Sequence, residues 1–452
     1  MKTLFEISRS GLKTAERSLS TTSNNLINAD TPGYSRQRVN QEPAGMRFSD
    51  RAAGLGVNMT GITRLRNEMA DIQLNDKRQN MGYMQEKAKV FEQMEAYMAT
   101  DSGHDLDLQI SRLFDSFSEL SSDPQDNSVR NNLVVEAEQL TDKFGDMSRN
   151  LDKTSDLVRE SVHTNVQRVN KLIDELASLN KPIVQGGSAG KPDHHSLDIR
   201  VKKLEELSEL INFESQVQDN GKLELRVNGI QILDGENAMH INSEVDDVTK
   251  VYRLRLDNGK IIEPNGGKLG ADIEMYEREV PEMKQRLDAV AETLVTRFND
   301  LHLQGYGLED GTQRNFFNPT NVSASSIELN DVIKNNQQHI AASSVVGEAG
   351  NGDIAAGIAN IRNENLISGR KVTDYAVDLI SKPGENLSNV RAQMEARDSE
   401  IQMLKTQQER ESGVNIDEEL SLMIKYQNAY QGAAKAMQAA QQMYDTLLSI
   451  VR

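Results

Sequence analysis

The last stretch of the chain leaves little choice of structure. Ile416, Leu420, Met423, Gln427, Tyr430, Ala434, Met437, Gln441, Tyr444, Leu448 and Val451 recur at steps of four and three without a slip. That is the spacing of a coiled-coil seam, because a 3.5-residue repeat keeps one stripe of a helix turned toward a partner. At about 1.5 Å per residue such a helix would be roughly 55 Å long. Asn415 stands before it as an N-cap and Glu418 lies three residues on, which makes a capping box available. Between Tyr426 and Arg452 the only charges are Lys435, Asp445 and Arg452. Ala429, Ala433, Ala436 and Ala440 lie off the seam. More than one face is therefore apolar or small, and such a helix expects neighbours on several sides.

A weaker seam opens the chain. Phe5, Ser8, Leu12, Ala15, Leu19, Thr22 and Leu26 repeat the same rhythm, with Gly11 beside them. Small residues admit a close neighbour but bury little area. The helix is expected to stop before Pro32, since the residue preceding proline is driven out of the α region. Thr31-Pro32-Gly33-Tyr34 then fits a turn with proline second and glycine third. Matching seams at opposite ends of one sequence predict a hairpin of the two termini, and a structural protein in place of an enzyme.

Between the ends, Arg36 to Arg64 shows no helical period and reads as extended and loop-rich. Helical patterning covers about Asn67–Thr100 and Leu106–Leu120. A very long helix follows, with Pro124 in its first turn and an end near Asn180. Lys181 to Pro192, rich in glycine and proline, reads as a break. A short helix covers Ser196–Ile211. The period then falls to two, with Asn228-Gly229 and Asn258-Gly259 as hairpin turns, so Phe213 to Ile262 is predicted to be a small antiparallel β module. Helix returns over Lys268–Leu303, where Pro281 predicts a kink. Gly305 to Asn335 reads as polar and irregular, Asp353 as the cap of a short helix. The final pair of helices spans about Val372–Glu411 and Ile416–Val451, with a bend or break at Pro383-Gly384.

Composition excludes several functions. Aromatic residues make up only 4% and hydrophobic residues 37% of 452, which suits an elongated molecule whose helices each bury a stripe. A formal charge of −18 repels phosphate, so no nucleic-acid partner is expected. No basic amphipathic helix offers a membrane-surface reading, and no run of about 18 apolar residues predicts a membrane span. With no cysteine, disulfides and thiolate metal sites are ruled out. Met1 to Ser20 is interrupted by charges and has no signal-peptide core, so export, where it occurs, is expected to need no cleaved signal.

No catalytic constellation emerges. The seven histidines form no HExxH or similar zinc spacing. His194-His195 beside Asp193 reads as an exposed loop in preference to a metal site. Asp101, Asp105 and Asp107 lack the EF-hand spacing and its glycine, Gly347 to Gly357 match no dinucleotide or phosphate loop, and no serine stands in a G-x-S-x-G elbow. No cofactor or metal is expected.

The segment from Ser23-Asn24-Asn25-Leu26 through Asn28-Ala29-Asp30-Thr31-Pro32-Gly33-Tyr34 resembles the motif shared by bacterial flagellar rod, hook and hook-associated proteins, and Ser35-Arg36-Gln37 is similar to its continuation in the hook-associated members. Ser412 to Glu419 resembles the C-terminal motif of the same axial family, and Lys268-Leu269-Gly270 and Asn299 to Phe317 look like it too. The likeness is dense at both ends and thinner between. It implies a mainly α, elongated, multi-domain axial subunit with paired termini. Residues 1–65 and 412–452 would form a terminal coiled-coil assembly domain with an extended loop. Residues 66–212 and 268–411 would form a long-helix body, and 213–267 a small β domain. Larger family members insert further domains after the position of Phe316-Phe317; here only a polar stretch follows.

The function so implied is a structural subunit at the junction of flagellar hook and filament, self-assembling after export. The alternatives are another axial component (hook or second junction protein) or a cytosolic coiled-coil scaffold. Assembly is assigned to Asn25, Asn28, Thr31, Pro32, Gly33 and Tyr34 and to the seam Ile416, Leu420, Met423, Tyr430, Met437, Tyr444, Leu448 and Val451. The implied partners are further copies of the chain, the hook protein, the second junction protein and an export chaperone on the C-terminal region. Weak, small-residue seams further predict termini that stay unfolded in the free monomer and fold on assembly.

Overall fold

A computed structural model describes residues 2–44, 56–98, 105–246 and 249–451. In chain order the elements are α1 (Lys2–Ile27), β1 (Gln37–Pro43), β2 (Val57–Arg64), α2 (Glu68–Met98), α3 (Leu106–Ser122), α4 (Asn127–Ser188) and α5 (His194–Leu210). Seven short strands follow: β3 (Glu214–Val217), β4 (Leu223–Val227), β5 (Ile230–Asp234), β6 (Asn237–Ala238), β7 (Ile241–Val245), β8 (Tyr252–Leu256) and β9 (Ile261–Ile262). The chain then returns to helix in α6 (Gly267–Glu274), a π turn at Met275–Glu279, α7 (Val280–His302), α8 (Asp331–Asn335) and α9 (Asp353–Asn360). A two-stranded ribbon, β10 (Asn365–Ile367) and β11 (Arg370–Lys371), leads into α10 (Val372–Ser412) and α11 (Ile416–Val451). The fold is mainly α, as its periodicities predict. At 62 residues α4 alone spans roughly 90 Å.

The body is a bundle of α2, α3, α4, α7, α9 and α10. Its centre is aromatic: Phe114, Phe117, Phe298, Phe316 and Phe317 meet with ring centroids 4.9 to 6.1 Å apart, mostly edge to face. The polar stretch after Phe317 is pinned beneath by two buried groups. Arg130, with no exposed surface, donates from Nε to Pro124 O (2.8 Å) and from Nη1 to Ile340 O (2.8 Å). His302 lies with Nδ1 2.7 Å from Arg314 O, to which it donates, and its Nε2 accepts the Ala341 N–H at 2.8 Å. That arrangement needs a neutral imidazole, and burial lowers the His302 pKa to about 4.

The β module consists of a four-stranded sheet in order β3-β4-β5-β6 and a three-stranded sheet β7-β8-β9, all antiparallel. At the β4–β5 hairpin Asn228 and Gly229 both take positive φ (48° and 78°), as a two-residue primed turn requires. The module packs Leu223, Leu225, Val227, Leu254 and Leu256 against Val162, Val169, Ile173 and Leu176 of α4.

Proline and glycine positions depart from expectation where packing outweighs local preference. Lys181 to Ser188 is no break: α4 continues through Pro182. Asn180 braces this end by donating to Leu223 O and Gly235 O and accepting Leu223 N–H, and Ile183 is buried. Nor does Pro383-Gly384 interrupt α10. Gly384 lies beside the Glu95 side chain of the adjoining α2. Pro281 sits in the first turn of α7, and the π turn just before it absorbs the irregularity. Pro124 precedes α4 without belonging to its first turn; Asp126 is the cap, accepting Ser128 N–H. Asp353 starts α9 but binds the N–H and hydroxyl of Ser344.

Candidate assembly site

The two terminal helices pair, but through positions that are largely off the predicted α11 seam. α1 and α11 run antiparallel, with Asn25 beside Glu419 and Gly11 beside Ala433. The β1–β2 ribbon lies along α1, with an irregularity between Asn40 and Gln41. The buried positions of α1 are small or polar: Ser8, Thr14, Ala15, Ser18, Thr21, Thr22 and Asn25. Ala15 of α1, Val39 of β1 and Ala440 of α11 are the buried hydrophobic residues of hairpin and ribbon among those described. The hairpin therefore has almost no apolar core of its own.

Its base is locked by polar contacts. Asn25 is 1% exposed. Its Nδ2 donates to Gln37 O (2.9 Å) and Glu419 Oε2 (3.1 Å), and its Oδ1 accepts from Gln37 N (3.0 Å) and the Tyr34 hydroxyl (2.8 Å). The turn between them is the predicted one: Gly33 takes φ 83° and Tyr34 N donates to Thr31 O at 3.1 Å. Burial, with Asp198 and Glu419 nearby, pushes the Tyr34 phenol up to about 12, so it stays a donor. Asn28 closes the helix end by donating to Asn24 O and Oδ1 and accepting from Thr31 Oγ1, while Thr31, Pro32 and Gly33 are exposed.

Glu419 is 1% exposed and is held by Asn25 and by Arg36 Nε at 2.7 Å. Asn415 caps α11 through Asp417 N (3.0 Å) and Glu418 N (3.3 Å). Glu418 reaches Arg36 Nη1 at 2.8 Å, the other half of the same clamp. The adjoining Ser35, wholly buried, accepts from Arg64 and Arg66, which pair in turn with Asp198 of α5 and Asp71 of α2. His194 lies 3.0 Å from Ile62 O and fixes the ribbon to α5; Asp193 caps that helix at Ser196. One polar joint thus ties hairpin, body and β-module helix together. Spacing alone pointed to none of Arg36, Glu419, Ser35, Arg64 or Asp198 as site residues.

The predicted C-terminal seam is only partly withdrawn from solvent on α11. Met423 and Met437 are half-buried, together with Leu422, Tyr426, Ala433 and Ala436. Ile416, Leu420, Tyr430, Tyr444 and Leu448 are 41 to 53% exposed. From Gln441 to Ser449 every residue is exposed. The side chain of Val451 lies outside the described residues. Grooves of about 630 and 760 Å³ flank the ribbon, open to solvent and lined by such residues as Ser18, Val39, Leu65 and Tyr426. Among the described residues no group of three or more acidic or histidine side chains is placed to hold a metal, and no helix is long and apolar enough to cross a membrane.

Comparison with known proteins agrees with this geometry. Residues 91–317 match the family described as flagellar hook-associated protein FlgK helical domain. Residues 5–34 match the flagella basal body rod protein family, and 403–450 the flagellar basal body rod FlgEFG protein C-terminal family. Flagellar hook-associated protein 1 of Bacillus subtilis is 25% identical, over 98% of this chain and 97% of its own length. The Salmonella typhimurium protein of that name is 23% identical over the full length of both. The flagellar hook junction protein FlgK from Burkholderia pseudomallei has a similar fold, with a TM-score of 0.64 at 11% identity, covering 75% of this chain and 99% of that one.

Proposed function

Because this chain belongs to the flagellar hook-associated protein FlgK family, we propose that its terminal hairpin is the element by which copies assemble in the axis of the flagellum. The chain is a structural protein of the hook–filament junction and not an enzyme. The observation that carries the assembly reading is the hairpin itself: a base locked at Asn25, Arg36 and Glu419, a seam of small residues, and apolar side chains on α11 that stay exposed among the described residues. A helix gains most of its stability by packing, and other copies of the chain can supply what this face leaves open.

On the same reading, the subunit is exported to the outside of the cell, its terminal helices unfolded during passage and paired afterwards. Its partners are copies of itself, the hook protein on one side and the second junction protein on the other. An export chaperone covers the apolar face of Ile416 to Val451 before secretion; exposed apolar patches of that kind call for a cover.

Deletion of the chain tests the junction role. We expect intact hooks without filaments, and filament protein lost to the medium. Normal filaments on the deletion strain would overturn it.

A further inference from the structure

Where α2, α4 and α6 cross, a carboxyl group is left half satisfied. Asp272 of α6 has no exposed surface. Its Oδ2 accepts from Asn165 Nδ2 (2.7 Å) and Ser161 Oγ (2.9 Å) of α4, whereas no donor among the described residues reaches Oδ1. From α2 it faces Glu86, 6% exposed, whose carboxylate also holds the Lys89 ammonium. From β8 it faces Tyr252, whose buried hydroxyl has no partner among the described residues. Arg159 of α4 and Tyr276 and Glu277 of the π turn complete the surroundings of that phenol; Glu277 accepts the Tyr252 N–H. Two buried carboxylates that face each other are costly to ionise together. Burial and the Glu86 charge push Asp272 up to about 7. A carboxyl that keeps its proton leaves no unpaired negative charge at Oδ1, where no donor among the described residues reaches.

We propose that Asp272 carries a proton on Oδ1 at the crossing of α2, α4 and α6, so that these helices are held by a clasp that closes with uptake of one proton. The clasp has a defined place in the molecule. Asp272 lies three residues before the π turn, and Tyr252 packs against both the body core and the β-module core. Loss of the proton leaves two like charges at the seat of the β module on the body. The sign follows from the raised folded value against an unfolded carboxyl near 3.9: stabilisation by the clasp is complete below the unfolded value and is lost as pH climbs through about 7.

Asp272→Asn tests this in the full chain, since the amide keeps the acceptor for Ser161 and Asn165 and places an N–H where the proton stood. His302 titrates in the opposite sense, so the difference between variant and wild type is read at each pH. Relative to wild type, D272N should gain at least about tenfold in folding equilibrium constant between about pH 5 and about pH 8. A difference that stays constant with pH overturns the clasp. An independent readout needs no variant: at about pH 6 the wild type should show the infrared C=O band of a buried protonated carboxyl, and its absence overturns the proposal. Stabilisation of the wild type at about pH 8 by added calcium or sodium, lost in D272N, would make the site a cation site and overturn it equally.

Discussion

Asn25 uses its side chain fully: two donations, to Gln37 O and Glu419, and two acceptances, from Gln37 N and Tyr34. No other residue type offers two donors and an acceptor oxygen at that reach. Truncation to alanine would take one of two partners from a buried glutamate and strand a phenol and a strand end at once. Each stranded group costs about 1–3 kcal/mol, and the costs overlap because the groups form one network. Asn25→Ala should therefore lower the local opening free energy of the hairpin by about 3 kcal/mol. Hydrogen exchange should quicken through α1 and α11 while the amides of α4 and α7 keep their rates; equal acceleration everywhere would show the hairpin inseparable from the body. The importance of Asn25 was legible from the motif it sits in. Its partner was not, because Glu419 lies 394 positions away and local spacing favoured Glu418 as the acidic residue with a structural task. Glu418 instead joins Glu419 on Arg36. A capping pattern counts only neighbours along the helix, and a cation arriving from another segment outbids it.

Among the elements, α11 shows how far periodicity reaches. The seam was readable as a stripe, and the stripe exists; which partner it faces was not readable. The side withdrawn from solvent passes through Glu419, Leu422, Tyr426, Ala433 and Ala440, while Leu420, Tyr444 and Leu448 look outward. A pattern of apolar residues states that something packs there and is silent on whether that something is in the same chain. The proline positions carry the converse lesson. Pro182 and Pro383 break local rules inside continuous helices because buried neighbours hold the backbone on either side. The exposed stripe yields a clean separation of folding from assembly. Leu448→Asp changes a residue 52% exposed in the single chain, so unfolding of the purified protein should move by no more than about 0.5 kcal/mol. Filament-bearing cells in a strain carrying only L448D should be largely lost, with the protein still made. Wild-type motility would show that this face meets nothing in the flagellum.

Over the whole molecule, charge is unevenly placed. Residues 1–65 and 412–452 together hold twelve basic and nine acidic side chains, a net +3, so the rest of the chain carries −21 against the overall −18. The division has a mechanical sense. Helices from many copies can crowd into one layer only where like charges do not accumulate, and the terminal segments satisfy that condition. The acidic bodies repel and stay apart, which keeps the free subunit soluble. Association of the purified chain is thus opposed by body–body repulsion and favoured by contacts of the termini. Raising ionic strength from about 0.01 M to about 0.15 M shortens the screening length from about 30 Å to about 8 Å, which weakens the first and leaves apolar packing of the second intact. Light scattering should report association severalfold faster at the higher salt, with the salt response absent in a chain lacking residues 416–452, which has repulsion to screen but no seam to close. Association slowed by salt would mean that attraction between opposite charges, and not packing of the neutral termini, drives the copies together.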